Sequence, residues 1–351
     1  MPRRVLLLTP VFYGIEQKIR VALEESGYQV VWIENKTLPL DYHGTASKFK
    51  ILRKFYFLLF SPAKRYLKEQ LKNISDPHFD ILFSINAHAI CPYLFKYLKK
   101  QNPHLYSILY LWDSFSKFSW KRELRYFNRV LTFDPADSLR YNLEYKPNFY
   151  LAQDDQLSDC DKIDLFFVGK FSRNRLLLLD KIVDLLKSKG IKYFIKLLPA
   201  YKICCHNQFV YRILKTLPFN SEWVLKYLLN YEAVEGLLDR DFLIHDAIGP
   251  VDLQHKLLCS NVVLDLPFEG QTGYTHRFIS ALAEGKKIIT TNKNVKEESF
   301  YDPDQIKIID VNNPEFDFKW IKKKLHFPVS GYIKVLELNN WLASVFDGKL
   351  A

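Results

Sequence analysis

The chain has 351 residues, more than one compact core usually holds, so two domains are expected. Hydrophobic residues make up 48% and charged residues 25%, the composition of a folded soluble protein, and no apolar run approaches the roughly 18 residues of a spanning helix. The formal charge of +11 asks for an acidic partner: a nucleotide, a phospholipid surface or nucleic acid. The start MPRRVLLLTP carries too short an apolar run for a signal peptide and reads as a first buried strand. The five cysteines show no C-x-x-C spacing, which reads as free thiols in a reducing cytoplasm.

Along the first 150 residues, apolar strands alternate with helical patterns. Strands are expected at 5–9, 29–33, 81–85, 107–111 and 129–133, and helices at 16–25, 63–73, 92–100 and 136–143. Such alternation implies a mostly parallel sheet covered on both faces. Residues 146–161 read as a linker. The alternation restarts with strands at 164–168 and 192–197 around a helix at 173–189, then an aromatic-rich helical stretch at 207–238. A helix at 251–259, strands at 261–266, 287–291 and 306–310, and helices at 315–325 and 333–346 complete the chain. The expected domains are 1–155 and 156–351, both doubly wound α/β, with ligands in a cleft at the carboxyl ends of two sheets.

The richest stretch is FEGQTGYTHRFISALAEGKKIITTN, where a turn with Gly270 and Gly273 runs into an amphipathic helix. Glycine permits positive φ, and a helix N-terminus presents backbone N–H groups to an anion. With Thr272, Tyr274, Thr275, His276 and Arg277 present, the turn is expected to hold a diphosphate; an ordinary strand–turn–helix unit is the plain alternative. A second cationic junction is VGKFSRNR, where Gly169 ends a strand and Lys170 and Arg175 flank a helix start. This expectation requires an open bend: packing that seals it would remove the assignment.

These junctions resemble those of glycosyltransferases of the GT-B architecture, especially group-1-like bacterial enzymes of capsule and lipopolysaccharide synthesis. In many of those, Gly-Arg ends a strand and a Lys follows five residues later; here Lys170 and Arg175 stand there with the cations exchanged. The family's donor loop carries two glutamates eight residues apart, where this chain has Thr272 and Ser280; Glu284 lies one helical turn further on. YLWDS (110–114), FDPAD (133–137), KPNFY (146–150), KKIITTN (286–292) and FYDPDQIKIID (300–310) extend the resemblance over most of the chain. It implies two tandem Rossmann-like domains facing a cleft, with a C-terminal helix packing back towards the first. It also implies metal-independent sugar transfer, without a cofactor, from a nucleotide-sugar bound by the second domain.

In the first domain, His88 follows one strand end and Asp113 the next, and either can take the acceptor's proton. Burial beside Trp112 is expected to raise the Asp113 pKa. Asp134 and Asp137 read as a helix N-cap and a first-turn carboxylate. Residues 47–72 interleave lysines, arginines and aromatics with the single acid Glu69, a pattern suited to an anionic bilayer and a lipid-linked acceptor. The enzyme is then peripheral on the inner face of the plasma membrane. A helix burying its aromatics explains the same pattern. No metal site is evident: Asp302-Pro303-Asp304 reads as turn chemistry, and His206 beside Cys204 and Cys205 lacks further ligands. Nucleic acid is not expected, for want of a binding motif. A nucleotide-sugar epimerase and a degenerate GT-B scaffold are the competing readings.

Overall fold

The computed structural model describes residues 2–35, 62–152, 161–198, 240–244, 246 and 248–346. The chain divides into two compact units. Unit 1 comprises Met1–Asn148, Gly270–Tyr274 and Leu338–Ala351, and unit 2 comprises Phe149–Glu269 and Thr275–Glu337.

Unit 1 is built on a six-stranded parallel sheet ordered β2-β1-β3-β4-β5-β6. Its strands are β1 (Arg4–Thr9), β2 (Gln29–Glu34), β3 (Ile81–Ile85), β4 (Tyr106–Leu111), β5 (Arg129–Thr132) and β6 (Glu144–Tyr145). VLLLT in β1 and ILFSI in β3 are wholly buried, as a parallel sheet covered on both faces demands. The helices are α1 (Ile15–Glu25), α2 (Pro62–Lys72), α3 (Pro92–Gln101) and α4 (Pro135–Tyr141). Leu67 and Leu71 of α2 join Leu94, Phe95 and Leu98 of α3 over one face of the sheet. These apolar residues recur every three or four positions, the helical period.

Unit 2 carries a five-stranded parallel sheet ordered β11-β10-β9-β7-β8. The strands are β7 (Ile163–Lys170), β8 (Tyr193–Leu198), β9 (Ser260–Asp265), β10 (Lys287–Thr290) and β11 (Ile306–Ile308). Helices α5 (Arg173–Ser188), α6 (Pro250–Leu258), α7 (His276–Ala283), α8 (Phe318–Lys322) and α9 (Gly331–Lys334) belong with it, and α10 (Leu338–Val345) returns to unit 1. There Trp341 donates to Pro147 O (2.8 Å), and Phe346 packs against Phe83 and Tyr28. Both sheets share the order second-first-third-fourth-fifth, so each has a switch point between its first and third strands, where doubly wound folds bind ligands.

Every expected strand is present, but other expectations need correction. The stretch 146–150 is packed rather than a loose linker: Phe149 is buried, and Tyr150 forms a parallel bridge with Glu337. That bridge falls where one helix was expected over 333–346, and the chain forms α9 and α10 instead. The C-terminal helix returns to unit 1 as expected, whereas the turn Gly270–Tyr274 also belongs to unit 1, which one cut at residue 155 does not provide for. Cys259 is disulfide-bonded, against the expectation of free thiols; Cys91 is free. The aromatic stretch 207–238, the Cys204–His206 group and residues 47–61 of the basic segment 47–72 lie outside the described residues.

Candidate functional site

In unit 2, polar side chains converge on the carboxyl ends of β7, β9 and β10. Arg175 enters from the first turn of α5, capped by the Ser172 hydroxyl, which accepts from Arg175 N (3.2 Å). Its guanidinium turns inward. Nε donates to Leu266 O (2.9 Å) and Nη1 to Lys170 O (2.8 Å), and the group lies 3.8 Å over the Phe268 ring. Only 6% of the residue is exposed. Burial, and then the neighbouring charge of Arg277, brings its pKa down to about 9, so it stays a cation at neutral pH. Gly169 makes room for this packing: a Cβ there would lie 2.8 Å from the Phe167 ring and 3.4 Å from Arg175 Nη1.

Asp265, the last residue of β9, is 1% exposed. It pairs with Arg277 (3.0 Å) and accepts from Thr275 (2.6 Å) and Thr290 (3.3 Å). Arg277 also donates to Val168 O and lies 4.6 Å over the Phe167 ring. Thr275 caps α7, accepting from Phe278 N (3.1 Å). Arg277 alone pairs with Asp265, and Arg175 feels that carboxylate only through space, so two guanidinium groups face one buried carboxylate and leave surplus positive charge at the switch point of the sheet, with Lys170 exposed at the end of β7. Asp265 was legible only as the charged end of the apolar strand NVVLD, and the sequence reading passed over it.

The glycine turn is occupied from within unit 1. The Asp134 carboxylate, 0% exposed, accepts from Thr272 N (2.8 Å), Gly273 N (3.2 Å) and the Thr272 hydroxyl. It also caps α4, accepting from Ala136 N (3.0 Å) and Asp137 N (3.3 Å). A Cβ on Gly273 would lie 2.4 Å from Phe133 O, and Tyr274 is buried with its carbonyl held by Asn148 (2.8 Å). The bend is sealed by packing. The expected contact of the Gly273 and Tyr274 backbone with a diphosphate is therefore corrected: Asp134 is the anion in that cradle. Arg175 is corrected likewise, since its donors are committed to carbonyls.

Ser280 sits half-buried in mid-α7, and Glu284 is the C-cap residue. At 1.5 Å per residue, Glu284 lies about 6 Å along the helix from Ser280, the position whose missing glutamate it was expected to replace in part. Its charge acts on Tyr150 and Lys286.

On unit 1, the carboxyl ends of β3 and β4 meet through Asn86. This residue is fully buried with φ of 56°, a strained value for a side-chain-bearing residue. Its Nδ2 donates to Asp113 Oδ2 (2.8 Å), its Oδ1 accepts from Trp112 N (3.2 Å), and Asn35 donates to its carbonyl (2.8 Å). Lys117 holds the other Asp113 oxygen at 3.0 Å. Asp113 keeps a partly open side chain beside a cation, while Trp112 turns its ring to Phe12 (5.6 Å), not the desolvated setting expected. His88 is 8% exposed, its ring edge-to-face with Phe118 (4.9 Å) and Trp120 (5.0 Å). Asp137 accepts from Phe115 N (2.8 Å), and Asp302 closes its turn on Asp304 N (2.8 Å). Among the described residues no group of three or more His, Cys, Asp or Glu can hold a metal ion. No described helix is long and apolar enough to cross a membrane.

No protein-family model and no curated protein matches the chain. Among solved structures it is similar to an alpha-glucosyltransferase in complex with UDP and a 13-mer DNA, at a TM-score of 0.52 and 13% identity, covering 97% of this chain and 94% of that one. The fold is GT-B. MurG of Acinetobacter baumannii aligns at a TM-score of 0.40 and 13% identity, covering 99% of this chain and 92% of that one.

Proposed function

We propose that this protein is a glycosyltransferase that takes a sugar from a nucleotide diphosphate donor. The observation that carries the reading is the surplus of cations over the Asp265 carboxylate at the switch point of the unit 2 sheet. The glucosyltransferase of the same fold is in complex with UDP. Lys170 and the capped N-terminus of α5 receive the diphosphate, and Arg175 and Arg277, fixed behind them, add a field that offsets the charge of the leaving group. This offset requires no metal ion.

The acceptor binds unit 1. Its hydroxyl oxygen attacks the anomeric carbon, the bond from that carbon to the donor phosphate breaks, and the hydroxyl proton passes to Asp113. Asn86 and Lys117 hold both oxygens of that carboxylate in place. The acceptor is a lipid-linked saccharide of bacterial surface polysaccharide synthesis, and the enzyme works peripherally on the inner face of the plasma membrane. Basic α2 supports this location. Calorimetry with UDP, GDP and CMP, followed by transfer assays with the matching nucleotide-sugars, tests the reading.

A second reading, a GT-B binding protein without transferase activity, is favoured by the sealed turn at Thr272–Gly273. Nucleotide binding without turnover on any sugar donor would select it.

A further inference from the structure

Helices α2 and α3 lie side by side over the same face of the unit 1 sheet and turn opposite sides of themselves to the core and to solvent. On α2 the buried positions are Ala63, Leu67 and Leu71, and the exposed ones include Lys64, Arg65, Lys68 and Lys72. On α3, Leu94, Phe95 and Leu98 are buried, and Lys96, Lys99 and Lys100 are exposed. Against these cations the two helices carry one carboxylate, Glu69. Asp76, just beyond α2, is occupied by Arg4 and His78. Between the helices Tyr93 and Tyr97 stack at 6.1 Å, half-buried, and Lys64 Nζ lies 5.8 Å over the Tyr93 ring.

We propose that the outer sides of α2 and α3 form one composite surface that docks on an anionic lipid bilayer. It rests on the membrane location proposed above, but its test involves no sugar transfer. The chemistry favours a lipid surface over a nucleic acid for two reasons. Both helices are sunk to their apolar stripes, so neither protrudes to enter a groove. The cations are lysines at all but one position, suited to diffuse attraction rather than to forked recognition of single phosphates. Among the described residues no large aliphatic side chain is exposed on this face, so attachment is electrostatic and shallow, the stacked tyrosines meeting the headgroup layer.

The test is co-sedimentation of the full chain with vesicles of pure phosphatidylcholine, and of phosphatidylcholine and phosphatidylglycerol in equal parts, over a salt series. Binding is expected only to the anionic vesicles and to fade as salt rises. Two triple variants, Lys64→Glu/Lys68→Glu/Lys72→Glu on α2 and Lys96→Glu/Lys99→Glu/Lys100→Glu on α3, should each weaken it by roughly tenfold or more. The control Lys187→Glu/Lys189→Glu in unit 2 removes as exposed a pair of cations and should bind as the wild type does. An unchanged melting temperature shows that each variant is folded. Equal loss in the control would reduce the effect to net charge and overturn the proposal. So would an α3 variant that binds normally, or duplex DNA competing the protein off the vesicles at lower phosphate concentration.

Discussion

The Asp134 carboxylate lies 2.8 Å from the backbone N of Thr272 and 3.2 Å from that of Gly273, 139 positions further along the chain. A turn built to receive an anion receives one from its own protein. The same carboxylate caps α4, so one buried charge satisfies the first turn of a helix and a glycine bend together.

Asp134→Ala should therefore cost about 3 kcal/mol of unfolding free energy, because several buried donors lose their acceptor at once. Asp134→Asn should cost less, about 1–2 kcal/mol: an amide still caps a helix, but one of its ends donates and cannot face an N–H. Gly273→Ala, whose Cβ would meet the Phe133 carbonyl at 2.4 Å, should destabilise by about 2 kcal/mol. Denaturant titration of the three variants checks the series, and equal stability of Asp134→Ala and wild type would refute the role of this carboxylate.

Lys170 and Arg175 should separate binding from stability. Lys170 is exposed at the end of β7, so Lys170→Ala should lower affinity for a nucleoside diphosphate by roughly tenfold and leave the melting temperature unchanged. Arg175→Ala empties a buried site and orphans the carbonyls of Leu266 and Lys170. Its unfolding free energy should fall by about 3 kcal/mol. Calorimetry and thermal denaturation on both variants decide, and a Lys170→Ala protein that binds the nucleotide normally would remove the phosphate assignment.

The strands were legible because a parallel sheet buried on both faces leaves continuous apolar runs such as VLLLT and NVVLD. The cap at Asp134 was legible for a local reason, its side chain bonding two and three residues away. What the glycine turn would hold was not, since its partner is distant in sequence. Nor was the fate of Arg175. The spacing showed a cation at a helix start but not that Phe268 would cover it and Leu266 would accept from it. His88 followed the same logic: its place after β3 was legible, while Phe118 and Trp120, some 30 residues on, pack edge-to-face on its ring.

Tyr66 ties α2 to β2, its hydroxyl donating to Glu34 O at 2.8 Å. Burial, and then the Glu34 charge, pushes its pKa up to about 12 from 10.0. Because the folded value lies above the unfolded one, this contribution is fully present below pH 10 and is lost as pH rises through about 12. Tyr66→Phe should lose about 1 kcal/mol at neutral pH and lack that share of the alkaline loss. Denaturation curves for both proteins at neutral pH and above pH 10 read the difference, which should shrink as pH rises; a constant gap would exclude the titration of this hydroxyl.

Asp113 and His88 compete for the acceptor proton, and their settings predict opposite results. Asp113 is partly open, with Asn86 and Lys117 holding its two oxygens, so Asp113→Asn keeps the shape while removing the base. Transfer should fall by roughly 10²–10⁴-fold in kcat with nucleotide affinity unchanged. His88 is enclosed by two aromatic rings, and His88→Phe should retain transfer while shifting the melting temperature. Asn86→Gly adds a third arm: it relieves the positive φ and deletes the amide that positions Asp113, so kcat should fall without a matching loss of stability. If His88→Phe abolished transfer and Asp113→Asn did not, the proton acceptor would lie after β3 rather than β4.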